Sequence, residues 1–355
     1  MNLFSATYLF LIACVGMLNA STIKIGMSAP LTGPSQQLGI SLLEGIRPTI
    51  IHINNNGGIN GKKIELIVLD DQYIPEKTIK NTHSFIKNNN VDLLFSYVGT
   101  PTTHQAAPLL IKHNKLLFFP FTGAQTLHQD LIGEHILHWR PNYWEESQVI
   151  IDALMRKKKK RIAVYFQKDT FGQSGLLGIQ KALAEQSLAP VSIASYQRGK
   201  TIDADFSSSA KLLLAQRPDA IICISSYEAS AGIIKAIRKN SDIPIATISF
   251  SDPISLIALL KTTPKALNNL IYSQVIPHEN DIEDIDQYKT ITNQSFTPIR
   301  YEGYKNTMTL ARLLSNHSLE DIQKNHTDIE TQLNKKHTVT LLTWKTNHWV
   351  PYERI

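Results

Sequence analysis

Residues 23–71 read IKIGMSAPLTGPSQQLGISLLEGIRPTIIHINNNGGINGKKIELIVLDD. Ile23 to Ser28 has the β-branched, alternating character of a strand, and the turn-rich PLTGPSQQLG follows it. From Ile40 to Asn54 the apolar residues recur at helical spacing. NNGGINGK, residues 55–62, is a turn, and Ile64 to Leu69 is a second strand that ends on Asp70 and Asp71. Two strands separated by one helix are the unit from which parallel sheets are built.

The alternation continues outward from this unit. Pro75 to Asn88 predicts a helix with proline in its first turn, Leu93 to Tyr97 a strand, Thr102 to His113 a helix and Leu116 to Phe119 a strand. A second series repeats the plan. Helices are expected at Trp144 to Arg156, Leu176 to Gln186, Phe206 to Ala215 and Ala229 to Lys239, and strands at Arg161 to Phe166, Val191 to Tyr196, Ala220 to Ser225 and Ile245 to Phe250. A strand from Leu270, helices at Asp284 to Asn293 and Tyr301 to Asn316, and a hairpin from His337 to Tyr352 complete the chain. The fold class that follows is α/β, with parallel sheets covered by helices on both faces. Ligands of such sheets sit at the carboxyl ends of the strands. In the first series those ends carry PLTG, DDQY, YVGTPTT and FPFTGA, segments rich in Thr, Gly, Tyr and Asp.

The 355 residues exceed what one core usually supports, and 43% hydrophobic with 19% charged is globular composition. Cys14 and Cys223 are too few for a disulfide framework or a cysteine zinc site, and Cys223, in the apolar run AIICI, reads as a buried thiol. Leu9 to Leu18 is an apolar run with the length of a signal-peptide core, followed by Ala20 at the cut point. Residues 1–20 are therefore expected to be a signal peptide. The n-region carries no Lys or Arg, and LIAC ending at Cys14 offers the alternative of a lipid anchor. The net charge is +6, and the run Arg156 to Arg161, RKKKKR, raises the question of nucleic acid. It lies between a helix and a strand with no interleaved aromatics, so a solvated connection is the preferred reading and no nucleic-acid partner is expected.

Taken in order, P-L-T-G at Pro30–Gly33, I-N-N-N-G-G-I-N-G at Ile53–Gly61, the Asp70–Asp71 strand end, VGTPTTHQAAPLL, FPFTGA, RIAVYFQKDTFGQSG and RPDAIICISSYEASAGIIKAIR resemble the type I periplasmic binding proteins, in the leucine/isoleucine/valine-binding branch that serves ABC importers. The resemblance covers nearly the whole chain after the leader and thins after about residue 315. It implies a Venus-flytrap of two doubly wound parallel-sheet lobes joined by three crossovers, near Arg140, Val275 and Lys336. Lobe 1 would comprise residues 21–140 and 276–335, and lobe 2 residues 141–275 and 336–355. A monomer is expected in the periplasm, with a small solute and an ABC permease in the membrane as partners.

The resemblance also implies site residues. Thr100, with Thr122 and Gly123, matches positions that hold a ligand's carboxylate, and Gly99 beside Thr100 is counted among the ligand-binding residues; hydroxyls and amides at a helix N-terminus suit an anionic or amide oxygen. Phe171 matches a covering aromatic and Tyr227 faces the cleft from the second lobe. Amino-acid binders of the family place an acid after the strand at Ile245. Here the segment is SFSDP, so Ser251 falls closest and Asp252 stands adjacent, with Glu228 as another counter-charge. That departure keeps amide-, urea- and carboxylate-type solutes open beside amino acids. A sensory protein of the same fold is the alternative. An enzyme is not expected, since no H-E-x-x-H spacing, G-x-S-x-G elbow or dinucleotide fingerprint is present. Neither a metal nor a cofactor is called for.

Overall fold

The computed structural model describes residues 22–263, 265–334 and 338–352. The expected leader with Cys14, and the crossover placed near Lys336, lie outside the described residues.

The chain opens with β1 (Ile23–Ala29), α1 (Gln36–Asn55), β2 (Ile64–Asp70), α2 (Pro75–Lys87), β3 (Leu93–Phe95), α3 (Thr100–Lys112), β4 (Leu117–Phe118), the short α4 (Asp130–Gly133) and β5 (Ile136–Leu137). These strands form one parallel sheet in the order β2-β1-β3-β4-β5. The second sheet is built from β6 to β12. It follows α5 (Tyr143–Arg156) through β6 (Ile162–Gln167), α6 (Thr170–Glu185), β7 (Ser192–Tyr196), α7 (Ser207–Leu214), β8 (Ala220–Ile224), α8 (Tyr227–Arg238), β9 (Ile245–Thr247), α9 (Pro253–Leu260) and β10 (Leu270–Gln274). The chain then returns to pack α10 (Ile285–Thr292) and α11 (Pro298–Asn316) on α1, adds α12 (Leu319–Lys324) and α13 (His326–Asn334), and ends in the hairpin β11 (Thr340–Lys345) and β12 (His348–Pro351).

The second sheet runs β12-β11-β10-β9-β8-β6-β7. Its parallel part, β7-β6-β8-β9-β10, winds in the same order as the first sheet, and β11 and β12 are appended antiparallel. Both windings reverse direction between the first and third strands of their series, at β1/β3 and at β6/β8. A crevice opens at the strand carboxyl ends of each reversal. Thr100 follows β3 and Tyr227 follows β8, so the duplicated winding places both at switch points.

Local chemistry explains several boundaries. Asn142 and Glu145 form a reciprocal capping box that starts α5, and Pro75 occupies the first turn of α2. Every residue of β8 is buried, as expected for a strand covered on both faces. In α1, Gly45 faces the Arg300 carbonyl, and in α11, Gly303 faces the Leu42 carbonyl. A methyl group at either would collide with backbone, and their absence lets the two helices approach closely. Cys223 lies buried in β8, where burial pushes its thiol up to about 12.

Three differences from the sequence reading have physical causes. The helix α3 begins at Thr100 rather than Thr102, because Pro101 supplies the fixed φ that a first turn accepts. The β9 ladder stops at Thr247, and the apolar run continues through Phe250 off the sheet. The helices α9, α12 and α13 were not anticipated; α9 is nearly uniformly apolar and carries little periodicity.

Candidate functional site

The first lobe contributes a pair of buried hydroxyls. Thr100 and Thr122 are fully buried, and their Oγ1 atoms lie 2.7 Å apart in a hydrogen bond. Thr122 Oγ1 also accepts from the Ala124 amide at 3.3 Å and lies 3.4 Å from the Tyr143 hydroxyl. Gly99, the N-cap of α3, has φ of 96°, and the Tyr73 ring lies directly against it. A side chain at Gly99 would be strained by φ and would also collide with that ring. Thr103 Oγ1 is buried without a partner, and Thr102 Oγ1 donates back to the Val98 and Gly99 carbonyls as a helix-start residue does. Gly123 packs on Pro141 and Tyr143.

Tyr73 is aimed by its backbone. Gln72 and Tyr73 both have positive φ, at 53° and 59°. Asp71 holds that turn by accepting from the Tyr73 amide at 2.9 Å, from Ser28 Oγ at 2.7 Å and from Thr78 Oγ1 at 3.1 Å. Burial raises the Asp71 carboxyl to about 6, against the pull of those donors. The Tyr73 ring crosses toward the second lobe. It meets Phe250 at 5.9 Å between centroids and lies under the Arg198 guanidinium at 5.7 Å. Its hydroxyl comes near Gln167 and Asp169 without a hydrogen bond of ordinary geometry.

Phe250 is the centre of an aromatic group that spans both lobes. It lies 5.7 Å from Phe121 of lobe 1 and 4.5 Å from Phe171 of lobe 2, besides Tyr73. Phe171 also meets Tyr143 edge-on at 5.5 Å. Tyr227 is nearly buried beside the Gln37 backbone of lobe 1; burial pushes its hydroxyl up to about 12. The structure thus brings Gly99, Thr100, Thr122, Gly123 and Phe171 to one contiguous region. Tyr227 stands at the lobe boundary by Gln37.

Asp252 is engaged elsewhere. Its carboxylate caps α9, accepting from the amides of Ile254 and Ser255 at 3.3 Å and from the Ser255 hydroxyl. Burial raises its proton affinity. Glu228 accepts from the Ile202 amide at 2.9 Å. Ser251 donates to the Ser225 carbonyl at 2.8 Å and bonds Ser230 at 2.7 Å.

Behind the cleft lies a buried ionic network that sequence reasoning did not identify. Arg140 bonds both oxygens of Glu302 at 2.8 and 2.7 Å, donates to Ser249 Oγ at 2.5 Å, and stacks 4.2 Å from the Phe121 ring centroid. Glu146 accepts from Ser249 and Ser273. Burial works against the Arg140 charge, but Glu302 and Glu146 together hold its proton affinity up; burial raises the Glu302 carboxyl despite Arg140. The only sequence signal was Arg140 beside a crossover. Among the described residues no group of three or more His, Cys, Asp or Glu is arranged to hold a metal, and no helix is long and apolar enough to cross a membrane. The basic run at Arg156–Arg161 links α5 to β6 at the strand amino ends, remote from the cleft. There the Lys160 and Arg161 amides donate to Asp219.

Comparison with known proteins agrees with the fold. The model of the family described as periplasmic binding protein matches residues 22–333. The Leu/Ile/Val-binding protein homolog 3 of Brucella melitensis biotype 1 is 26% identical over 241 residues, covering 66% of this chain and 63% of that protein. The leucine-, isoleucine-, valine-, threonine-, and alanine-binding protein of Pseudomonas aeruginosa is 25% identical over 192 residues, 53% of this chain and 50% of its own. The matches thus span less than two thirds of these relatives. A substrate-binding periplasmic protein from Ralstonia solanacearum superposes with a TM-score of 0.80 at 22% identity, covering 90% of this chain and 97% of its own. The branched-chain amino acid transporter substrate binding protein of Streptococcus pneumoniae, in complex with isoleucine, does so with a TM-score of 0.75 at 17% identity, covering 93% and 98%. With its two parallel-sheet lobes, duplicated winding and a family match over most of its length, the chain belongs to the periplasmic binding protein family.

Proposed function

We propose that the chain captures a small solute outside the cytoplasm and presents it to the membrane permease of an ABC importer, with no chemical step. The observation that carries this reading is the buried Thr100–Thr122 hydroxyl pair at one switch point, with Tyr143, whose hydroxyl lies 3.4 Å from Thr122 Oγ1, meeting Phe171 edge-on. Two switch-point crevices facing each other form a cleft that a solute can bridge. The names of the relatives, which bind leucine, isoleucine and valine, support an amino-acid-sized solute with an apolar body. The moving units of the proposal are residues 21–140 with 276–335 and residues 141–275 with 336–355, closing as hinged bodies. Export as a monomer, by removal of residues 1–20, belongs to the same proposal.

A thermal-shift screen against amino acids, amides and small carboxylates tests it. A ligand held only by the folded chain at a hundred times its Kd stabilises by about 2.7 kcal/mol, which raises the melting temperature measurably. The Thr100→Val variant is expected to lose at least tenfold in affinity for the best solute, since one hydroxyl donor is lost from the site and the Thr122 hydroxyl loses its buried partner. No shift with any member of the three classes, or an unchanged affinity in Thr100→Val, contradicts the assignment.

A further inference from the structure

The distal end of the second lobe carries charge that solute capture does not use. The strands β7, β6, β8, β9 and β10 lie side by side and parallel, so the segments that enter them gather at one end, opposite the cleft. Four adjacent entries are basic. Arg156 to Arg161 leads into β6, Arg217 into β8, Lys239 into β9, and Lys261 with Lys265 into β10. At about 4.8 Å between strands, this row is roughly 15 Å across. All of these side chains are exposed except Lys159, which is half-buried. Among the described residues Lys157 to Lys160, Lys239, Lys261 and Lys265 form no ion pair. The carboxylates at this end are fewer. Glu185 closes α6, Asp219 accepts the Lys160 and Arg161 amides at 2.9 Å, and Asp242 stands 3.7 Å from Arg238.

Helix dipoles account for part of this. The helices α5, α8 and α9 end here, and each carboxyl terminus carries about half a negative charge, which suits Arg156, Lys239 and Lys261. Lys158 to Lys160, Arg217 and Lys265 exceed that need. Their rim is held in place: the Arg161 guanidinium donates to the Gln216 and Arg217 carbonyls, tying the β6 entry to the β8 entry. None of the five entry segments holds an aromatic residue on which a base could stack. The helices end here with carbonyls, so no amide cradle selects a single phosphate. Hydrated point charges on flexible stems, spread in a row, suit an extended anionic plane. Outside the cytoplasm and beside a permease, that plane is a layer of phospholipid headgroups. We propose that the distal end of the second lobe docks on a bilayer carrying anionic phospholipid, through Lys157 to Lys160 with Lys239, Lys261 and Lys265. The step rests on the extracytoplasmic part of the function proposed above. The cleft lies at the opposite strand ends, so the docked chain keeps it open to solute.

The test is sedimentation of the full chain with two sets of vesicles, one of phosphatidylcholine and one of equal parts phosphatidylcholine and phosphatidylglycerol. Each lysine at an anionic surface adds about fivefold to partition, and salt screens it. The expected result is at least tenfold stronger partition onto the anionic set at low salt, lost at about 0.5 M salt. An apolar contact of residues 9–18 would hold to both sets alike, so the neutral vesicles read it out. Combining Lys157→Gln, Lys158→Gln, Lys159→Gln and Lys160→Gln is expected to cost at least tenfold with an unchanged melting temperature. The same change at Lys62, Lys63, Lys80 and Lys87, exposed on the first lobe, should cost under about threefold. Equal partition onto the two sets, binding to neither, or equal losses in the two variants overturns the proposal. Binding of duplex DNA without binding of vesicles assigns the row to nucleic acid and also overturns it. The thermal-shift screen reads solute capture separately, and the Lys157–Lys160 variant should pass it unchanged, so either reading can fail alone.

Discussion

Replacing Arg140 by methionine is expected to destabilise the chain by about 3–5 kcal/mol, because it leaves carboxylates buried without their cation. Methionine keeps much of the volume, so the loss is electrostatic rather than a cavity effect. Arg140 satisfies both oxygens of Glu302 and one hydroxyl of Ser249, which in turn serves Glu146. The variant should be least impaired in acid. Burial already raises the Glu302 carboxyl, and without Arg140 nothing on that side lowers it, so protonation relieves the penalty as pH falls. The double variant Arg140→Met with Glu302→Gln should recover part of the loss. Urea unfolding at several pH values measures this; a loss under about 1 kcal/mol at neutral pH would contradict the network's role.

Asp71 is the second large effect, and its sign is opposite to the usual carboxylate. Its folded-state value is raised from 3.8 to about 6 by burial. Between those two values the folded chain holds more protons than the unfolded chain, so stability falls as pH rises through that window and is flat above it. The size is up to about 3 kcal/mol, taking ~1.36 kcal/mol for each pH unit of difference. Asp71→Asn removes this dependence. The stability difference between Asp71→Asn and the parent should therefore shift toward the variant by about 2 kcal/mol between pH 4 and pH 7, whatever its constant offset. A difference that stays flat across that range would show that Asp71 ionises freely in the folded chain.

Much of the architecture was readable because it rests on periodicity. Ile40 to Asn54 marked α1, AIICI marked the buried β8, and the order of the elements implied the parallel sheets. What escaped were features that depend on distant partners. Nothing near Tyr73 announces that two successive residues of positive φ aim its ring across the cleft, and Phe250 reads as the end of a strand until the sheet is seen to stop at Thr247. The pair Asp252-Pro253 did carry a readable sign, an acidic cap before a first-turn proline, and that cap uses both carboxylate oxygens. The partnership of Arg140 with Glu302 spans 162 residues, a distance no local pattern reports.

Hinge closure around a solute is the central claim, and small-angle scattering tests it most directly. The chain should show a larger radius of gyration without solute than with a saturating solute, and the bound profile should match the structure described here, in which Tyr73 and Phe121 of one lobe touch Phe250 of the other. If calorimetry shows solute bound while the scattering profile is the same before and after, the lobes do not close on a ligand and the account is wrong.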